Sequence, residues 1–232
     1  MKLEVLNLKK SFGNKEVLKN INFTFESGKI YGLLGRNGAG KTTFFNCLND
    51  DIKPDEGTFN IIEEKNKRSL TIDDIGYVLS TPTVPEFLTG REFLKFFLEI
   101  NEGKIKNVKT IDEYFDFMKI EPIDRDKLLK DYSHGMKNKM QMLINIIADP
   151  NILLLDEPLT SLDVVVAEEM KEMLKSIKKD HILIFSTHIM DLALSLCDEI
   201  VILKNGTLSL VDNKLKGEEL KEKIIETLRE DE

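Results

Sequence analysis

The sequence has few cysteines, no tryptophan and no long apolar run. Its two cysteines, Cys47 and Cys197, are too sparse for a disulfide scaffold in a chain of 232 residues, so they indicate free thiols in a reducing compartment. Uninterrupted apolar stretches such as residues 152–155 are far shorter than the about 20 residues that a membrane span needs. If the protein works at a membrane, a partner must supply the spanning part.

An excess of positive charge is also missing, since the net charge is −8 with 32% charged residues. This balance argues against broad binding to nucleic acids, whose phosphates attract basic surfaces. The one compact basic run, residues 65–68, is expected to be a solvated loop, and the first residues carry no signal-peptide pattern. The length favours one α/β domain with a subdomain, and we expect a cytoplasmic protein.

Residues 35–43, Gly-Arg-Asn-Gly-Ala-Gly-Lys-Thr-Thr, match the phosphate-binding loop (P-loop) pattern G-x-x-x-x-G-K-[ST]. A strand pattern precedes them and a helix pattern follows, which is the context that the motif requires. The glycines let backbone N–H groups converge on a phosphate, and the helix N-terminus adds partial positive charge. Lys41 supplies a full charge to the β- and γ-phosphates, and the Thr42 hydroxyl can ligate Mg²⁺. The predicted binding residues are Asn37, Gly38, Ala39, Gly40, Lys41, Thr42 and Thr43.

Apolar periodicity and turn residues predict alternating strands and helices. Strands are predicted near residues 2–10, 17–25, 29–34, 58–62, 75–78, 151–155, 181–186, 198–204 and 207–211. Helices are predicted from about residue 43 and near residues 89–101, 109–118, 136–148, 164–178, 188–196 and 216–229. Strands that alternate with helices indicate a parallel sheet with crossover connections.

The fold class expected from this pattern is α/β, with a P-loop NTPase core around a mixed, mainly parallel sheet. The first strands form an N-terminal antiparallel β subdomain, and residues 80–148, which are rich in helical patterns, form an inserted α-helical subdomain. We expect residues 1–79 and 149–215 to form the core and residues 216–232 a C-terminal tail helix, all within one domain of residues 1–232. Because this tail is short, we expect no appended regulatory domain.

Two acids end the buried strand pattern of residues 152–155, and a histidine follows the next strand. A carboxylate at the C-terminal end of a parallel strand faces the ligand crevice, so Asp156 is placed to hold Mg²⁺. Glu157 beside it can polarise the attacking water as a general base. His188 is predicted at the same edge of the sheet, where it can contact the γ-phosphate and orient the water. His181 lies at the other end of its strand and is assigned no role.

A further segment, Tyr132-Ser133-His134-Gly135-Met136-Lys137, stands at a predicted helix start shortly before the acidic strand. Together with the P-loop and the acids, it resembles the ATP-binding subunit of an ABC transporter, and the resemblance covers the whole chain. Ser133 and Gly135 match the family's Leu-Ser-Gly-Gly signature, whereas His134 replaces a glycine. The residues that flank them, Tyr132 and Met136, are similar to those of ABC-2 type exporters.

The resemblance implies that ATP, with Mg²⁺, is bound between two such subunits. Family members pair head to tail, so Ser133 and Gly135 are expected to cover the γ-phosphate that the second subunit holds. The segment Ser161-Leu162-Asp163 is similar to the family's D-loop, which adds Asp163 to the expected ATP site. Phe12 falls where the family stacks an aromatic ring on adenine. His188 corresponds to the family's switch histidine.

At one position the chain departs from the family pattern. An ungapped match puts Ser80 where the family has a glutamine that reaches Mg²⁺ and the attacking water. Serine can ligate Mg²⁺, but it is shorter and has no amide, so either a water fills the gap or coordination is weaker. Because Asp156, Glu157 and His188 are retained, hydrolysis is still expected.

The resemblance implies a function in transport. We expect an ATP-hydrolysing subunit that powers export of a drug, peptide or lipid-like molecule through a separate integral membrane permease, with no nucleic-acid partner. The subunit would lie on the inner face of the membrane. Six phenylalanines cluster in the inserted subdomain, namely Phe87, Phe93, Phe96, Phe97, Phe115 and Phe117. Such a cluster more often packs in the core of its subdomain, and the alternative is a partly exposed apolar groove, which in the family receives a helix of the permease. The alternatives are a catalytically weak partner in a heterodimeric ATPase and a soluble ABC ATPase unrelated to transport. The sequence leaves open the substrate, the choice between export and import, and the choice between homodimer and heterodimer.

Overall fold

The computed structural model describes residues 1–105, 108–160, 162–212, 214–215 and 217–229. Within these ranges the strands are β1 (Lys2–Phe12), β2 (Lys15–Glu26), β3 (Lys29–Leu34), β4 (Glu56–Glu63), β5 (Asn66–Ser69), β6 (Ile75–Val78), β7 (Ile152–Asp156), β8 (Ile182–Thr187), β9 (Glu199–Lys204) and β10 (Thr207–Leu210). The α-helices are α1 (Lys41–Leu48), α2 (Gly90–Ile100), α3 (Ile111–Phe117), α4 (His134–Ile147), α5 (Val164–Ile177), α6 (Met190–Leu196) and α7 (Gly217–Arg229). Across the described part of the chain, no helix combines the length and apolar character that a membrane crossing requires.

The strands form two sheets, and both agree with the predicted fold class. The smaller sheet has the order β2-β1-β4-β5 with antiparallel neighbours throughout. The larger sheet has the order β10-β9-β3-β8-β7-β6, in which β10 is antiparallel and the other neighbours are parallel. A mixed, mainly parallel sheet beside an N-terminal antiparallel sheet is the architecture expected from the sequence.

The central strands of the larger sheet are buried on both faces, which explains their continuous apolar sequence. Along β7, Leu153 and Leu155 pack in one core with side chains of α2–α5. Ile152 and Leu154 point to the opposite core, which includes α1 and the antiparallel sheet. Because side chains alternate along a strand, Asp156 belongs to the face of Ile152 and Leu154, on which α1 lies.

Side-chain caps fix where the helices of residues 80–148 begin. Thr89 and Glu92 form a capping box at α2, and Thr110 and Glu113 form one at α3, so the predicted starts were correct to within two residues. Helix α4 begins at His134, two residues before the prediction. The reason is that the Ser133 hydroxyl accepts a hydrogen bond of 3.2 Å from the Met136 N–H and thereby caps the helix.

Residues 65–68 are not the solvated loop that their charge suggested. Most of this run lies in β5, which pairs antiparallel with β4. The Arg68 guanidinium binds both oxygens of Asp74, a carboxylate whose side chain is 5% exposed. Asp74 also accepts hydrogen bonds from Thr71 and from Asn151, so its pKa lies well below the ordinary value, chiefly because of Arg68. The charged run therefore joins the edge of the antiparallel sheet to the start of β6.

We expect Asp74→Asn to lower the free energy of unfolding by about 2 kcal/mol at neutral pH, because a charged acceptor of several hydrogen bonds is lost. The folded-state pKa is below the unfolded value of about 3.9, so this stabilisation is complete at neutral pH and is lost as the pH falls below about 4. Urea unfolding of both proteins across that range checks the penalty and its decline. Asp73→Asn, at the exposed neighbouring acid, is the control. Equal penalties at the two positions would contradict the assignment.

Candidate functional site

The predicted site residues follow strands whose C-terminal ends meet at one edge of the larger sheet. At the end of β3, Leu34 is paired with Thr187 of β8, and Asp156 at the end of β7 is paired with Ser186. The end of β6 at Val78 lies beside β7. The segments that follow these strands are therefore brought together, as the sequence analysis expected for a parallel sheet.

A cavity of about 440 Å³ lies at this edge. Most of the predicted P-loop and metal-binding residues line it, and so does the predicted base Glu157. Lys15 and Val17 also line it, although the sequence analysis missed them; the pairing of Phe12 with Lys15 in the β1–β2 hairpin could have indicated Lys15. The complete lining is Phe12, Lys15, Val17, Asn37, Gly38, Gly40, Lys41, Thr42, Thr43, Ser80, Asp156 and Glu157.

The P-loop leads into α1 through glycines in left-handed conformations. Gly38 has φ 80° and Gly40 has φ 105°, and a Cβ atom on Gly40 would lie 2.8 Å from Val17 Cγ1, so glycine is required there. Gly40 occupies the N-cap of α1, where no side-chain cap is formed and the first turn carries no acid. The N–H groups at the start of α1 are thus left to an external anion, at the positive end of the helix.

Lys41 is the buried cation of the cavity, with 7% of the residue exposed. Its Nζ atom donates hydrogen bonds to the Gly35 carbonyl at 2.8 Å and to the Arg36 carbonyl at 3.4 Å. Glu157 Oε1 lies 4.0 Å from the same atom. Burial lowers the pKa of Lys41, and the carboxylates of Glu157 and Asp156 oppose this effect. An anionic phosphate is a stronger acceptor than the two carbonyls and would compete for the ammonium group.

Asp156 is held between two hydroxyl groups. Thr42 Oγ1, on the first turn of α1, donates to Asp156 Oδ2 at 2.9 Å. Ser186 Oγ, on β8, donates to Asp156 Oδ1 at 2.5 Å. The carboxylate and the Thr42 hydroxyl both belong to the cavity lining, so they present adjacent oxygen atoms to it.

Glu157 has an unusual backbone conformation and a direct contact with His188. Its φ of 48° lies in the left-handed region, which non-glycine residues rarely adopt. Its Oε1 atom lies 2.9 Å from His188 Nδ1, and because a carboxylate accepts, that nitrogen carries the proton. The predicted base and the predicted switch histidine are therefore in contact, with the carboxylate between His188 and Lys41.

Two predicted residues lie at the exposed side of the cavity. Ser80 is exposed, and its hydroxyl makes no hydrogen bond within the described ranges. Phe12 is also exposed, and the Lys10 ammonium group lies 5.4 Å from the centroid of its ring. An exposed ring at the mouth of a polar cavity offers a flat apolar face to a ligand.

The predicted signature residues do not line this cavity. Ser133 is exposed and caps α4, and Gly135 follows it in the first turn of that helix. Gly135 packs near Leu162 and Val166. Asp163 caps α5 by accepting hydrogen bonds of 3.0 Å from the N–H groups of the second and third residues of the helix. Gly135 thus lies beside the segment that carries Asp163, whereas Ser161 falls outside the described residues.

Comparison with known proteins identifies the family. The sequence profile of the ABC transporter family matches residues 18–160, which span the P-loop, the segment of Ser133 and the acids at the end of β7. The chain belongs to the ABC transporter family. The resemblance seen in the motifs is thereby confirmed, and this ABC transporter ATP-binding subunit is an ATPase.

Individual relatives agree with this assignment. The uncharacterized ABC transporter ATP-binding protein YxlF of Bacillus subtilis is 34% identical over 209 residues, which cover 89% of this chain and 69% of YxlF. The bacitracin transport ATP-binding protein BcrA of Enterococcus faecalis is 30% identical over 210 residues, which cover 89% of this chain and 67% of BcrA. A solved ATP-binding subunit of an ABC transporter superposes with a TM-score of 0.81 at 26% identity, covering 97% of this chain and 99% of that one.

Proposed function

We propose that this ABC ATPase powers export of a substrate through a separate membrane permease, with ATP bound between two subunits. One observation carries the proposal. The cavity provides half of a phosphate site, with Lys41, Asp156 and Glu157, while a second helix start, with Ser133 and Gly135, lies outside the cavity. A second subunit placed head to tail would bring these two halves onto the same nucleotide.

Within the cavity, the start of α1 and Lys41 would bind the phosphates of ATP. Phe12 would support the adenine ring, which matches its exposed position at the cavity mouth. We infer that Mg²⁺ is held by Thr42, Asp156 and Ser80, because carboxylate and hydroxyl oxygens are the donors that this hard cation prefers. Thr42 and Asp156 fit the ion, since their oxygens are 2.9 Å apart and line the same cavity. When bound, Mg²⁺ would neutralise charge on the phosphates.

Glu157 would act as the general base that takes a proton from the attacking water. Its position between Lys41 and His188 supports this role, because the two contacts hold the carboxylate at the wall of the cavity. His188 would hold Glu157 through Nδ1 and leave Nε2 to contact the γ-phosphate. The left-handed backbone of Glu157 is part of what directs the side chain into the cavity.

The dimer would complete the site through residues of the partner's α4. Ser133 is exposed at the start of a helix whose first turn carries no acid, so it can face an anion without repulsion. Asp163 already caps α5, and in the proposed dimer it would keep the neighbouring loop in place as well as contact the nucleotide site. ATP would then hold the two subunits together until hydrolysis.

Exposed apolar side chains between residues 79 and 96 support docking of a permease helix. Phe87 is 79% exposed and Phe96 is 53% exposed, and Leu79, beside Ser80, is exposed as well. Of the other predicted groove residues, Phe93 and Phe115 are buried and Phe97 and Phe117 are half-buried, so they contribute to the core of this region instead. The proposed docking surface consists of Leu79, Phe87 and Phe96.

The docking surface can be tested by where the protein fractionates in its native host. The wild-type chain is expected in the membrane fraction, and Phe87→Asp is expected to release it while the purified variant keeps normal ATP turnover. Ile72→Asp is a matched control. Ile72 is 66% exposed, but it lies in the segment before β6 and does not belong to the proposed docking surface. The surface is wrongly assigned if Phe87→Asp stays in the membrane fraction or if both variants are released equally.

Export is supported by two features. The residues Tyr132 and Met136 that flank the signature are similar to those of ABC-2 exporters, and one relative, BcrA, is named for transport of bacitracin. A drug, peptide or lipid-like molecule is the substrate class that we infer.

A catalytically weak subunit of a heterodimer is a second candidate, favoured by Ser80 and His134. If the short side chain of Ser80 limits catalysis, Ser80→Gln should lower the Mg²⁺ concentration for half-maximal turnover by about fivefold, the value of one hydrogen bond of about 1 kcal/mol. Turnover measured against Mg²⁺ concentration checks this. Ser80→Ala is the control, because alanine has neither a longer side chain nor an amide. Unchanged curves for Ser80→Gln would mean that water already takes the place of the amide.

A further inference from the structure

Ser186 touches two residues of the site although it is fully buried and does not line the cavity. Its hydroxyl donates to Asp156 Oδ1. Ser186 Oγ also accepts a hydrogen bond of 3.2 Å from the Glu157 N–H. The Ser186 carbonyl oxygen accepts from the same N–H, likewise at 3.2 Å. A single side chain therefore connects the proposed metal-binding acid with the proposed base.

The sheet register produces this connection. Ser186 of β8 is the direct partner of Asp156 in the parallel β7–β8 pair, so both side chains leave the sheet on the same face. The preceding pair, Leu155 with Phe185, points into the opposite core. No sequence spacing between residues 156 and 186 reveals this pairing, because it depends on which strands are neighbours and on their register.

We propose that Ser186 is a positioning residue for ATP hydrolysis: its hydroxyl sets the orientation of the Asp156 carboxylate towards Mg²⁺ and holds Glu157 in its left-handed conformation. The first half of this proposal rests on the metal site put forward under the proposed function. Ser186 acts through its two neighbours, since its full burial keeps it from the nucleotide and from the ion.

The two hydroxyls on Asp156 have different consequences. Thr42 lines the cavity and is itself an expected ligand of the ion, so its hydroxyl changes its contacts when the site fills. Ser186 does not line the cavity and is not an expected ligand of the ion, so its hydrogen bond to Asp156 Oδ1 can persist through binding and hydrolysis. With Oδ1 occupied in this way, Oδ2 is the oxygen that faces Thr42 and the cavity.

The bond to the Glu157 N–H has a separate effect on the base. A φ of 48° is unfavourable for glutamate, and it persists where neighbouring groups fix the backbone. Ser186 supplies two acceptors to this one N–H, through its hydroxyl and its carbonyl. Removing the hydroxyl leaves the carbonyl, so Glu157 should become less well placed without unfolding of the strand end.

The test compares Ser186→Ala with Ser186→Thr, which restores a hydroxyl, and with Ser195→Ala, a control at an exposed serine that donates to the Leu192 carbonyl on α6. Binding of a non-hydrolysable ATP analogue is measured by calorimetry with EDTA and at increasing Mg²⁺.

Loss of a side chain that orients a metal ligand typically costs 10- to 100-fold in affinity or activity. We expect Ser186→Ala to raise the half-saturating Mg²⁺ concentration about 10-fold and to lower kcat about 10-fold at saturating Mg²⁺. Binding in EDTA should be unchanged, and Ser186→Thr should restore both values.

Wild-type Mg²⁺ dependence together with wild-type kcat in Ser186→Ala would overturn the proposal. Weakened binding in EDTA would overturn it too, because that result would show general damage to the P-loop side of the cavity. If the wild-type protein itself binds the analogue equally with and without Mg²⁺, the metal site of the proposed function is wrong. In that case, the kcat of Ser186→Ala tests whether Ser186 positions Glu157: a lowered kcat supports this half of the proposal, and a wild-type kcat contradicts it.

Discussion

Glu157→Gln is expected to reduce ATP turnover by about 10²- to 10⁴-fold while ATP still binds, because this is the usual contribution of a positioned general base. The amide has nearly the same shape as the carboxylate and can still accept the hydrogen bond of 2.9 Å from His188 Nδ1. It cannot take a proton from water. Phosphate release at saturating ATP measures the loss, and calorimetry measures whether binding is retained.

The same variant should accumulate as a dimer when ATP is present, since the phosphate contacts on both subunits remain and hydrolysis no longer removes them. Sedimentation with and without Mg-ATP reports this directly. Glu172→Gln is a suitable control, because Glu172 is an exposed acid on α5 that does not line the nucleotide cavity. Normal turnover in Glu157→Gln would show that another group is the base. A variant that binds ATP but stays monomeric would indicate that dimer formation needs a different subunit or the permease.

Lys41→Ala is expected to weaken ATP binding at least about 100-fold, or about 3 kcal/mol, because a buried charge partner of the phosphates is lost. The ammonium group now donates to the Gly35 and Arg36 carbonyls, and alanine cannot replace it as a donor to phosphate. Titration with a fluorescent ATP analogue gives the dissociation constant.

Lys95→Ala removes a lysine from the exposed face of α2 and should leave the affinity within about twofold of wild type, since exposed charges contribute little. The thermal midpoint of each variant shows whether the fold is kept. Unchanged ATP affinity in a folded Lys41→Ala protein would mean that the cavity is not the phosphate site.

Much of the architecture could be predicted from local patterns in the sequence. The strands β3 and β6 have the predicted bounds, and the predicted starts of α2 and α3 lie within two residues of helices that begin after capping boxes at Thr89 and Thr110. These features depend on residues close together in the chain, so short-range chemistry is enough to predict them. The family was predicted equally well, because its motifs are short and occur in a fixed order.

The errors arose where contacts distant in sequence override local composition. Residues 65–68 looked like a solvated loop, yet pairing with β4 and the contact of Arg68 with Asp74 make most of the run an edge strand. Charge and periodicity do not report which distant element will be a neighbour.

The sequence by itself determined the P-loop, the acidic end of β7, the α/β class and the membership in the ABC transporter family, because each follows from residue types at fixed short spacings. The tertiary structure decided how these parts meet. Parallel register places Asp156 against Ser186, the left-handed turn at Glu157 brings its carboxylate to His188, and α4 holds Ser133 outside the cavity. These relations depend on strand order, register and packing between separate elements, and the paired residues lie 30 and 31 positions apart, so the one-dimensional pattern does not contain them.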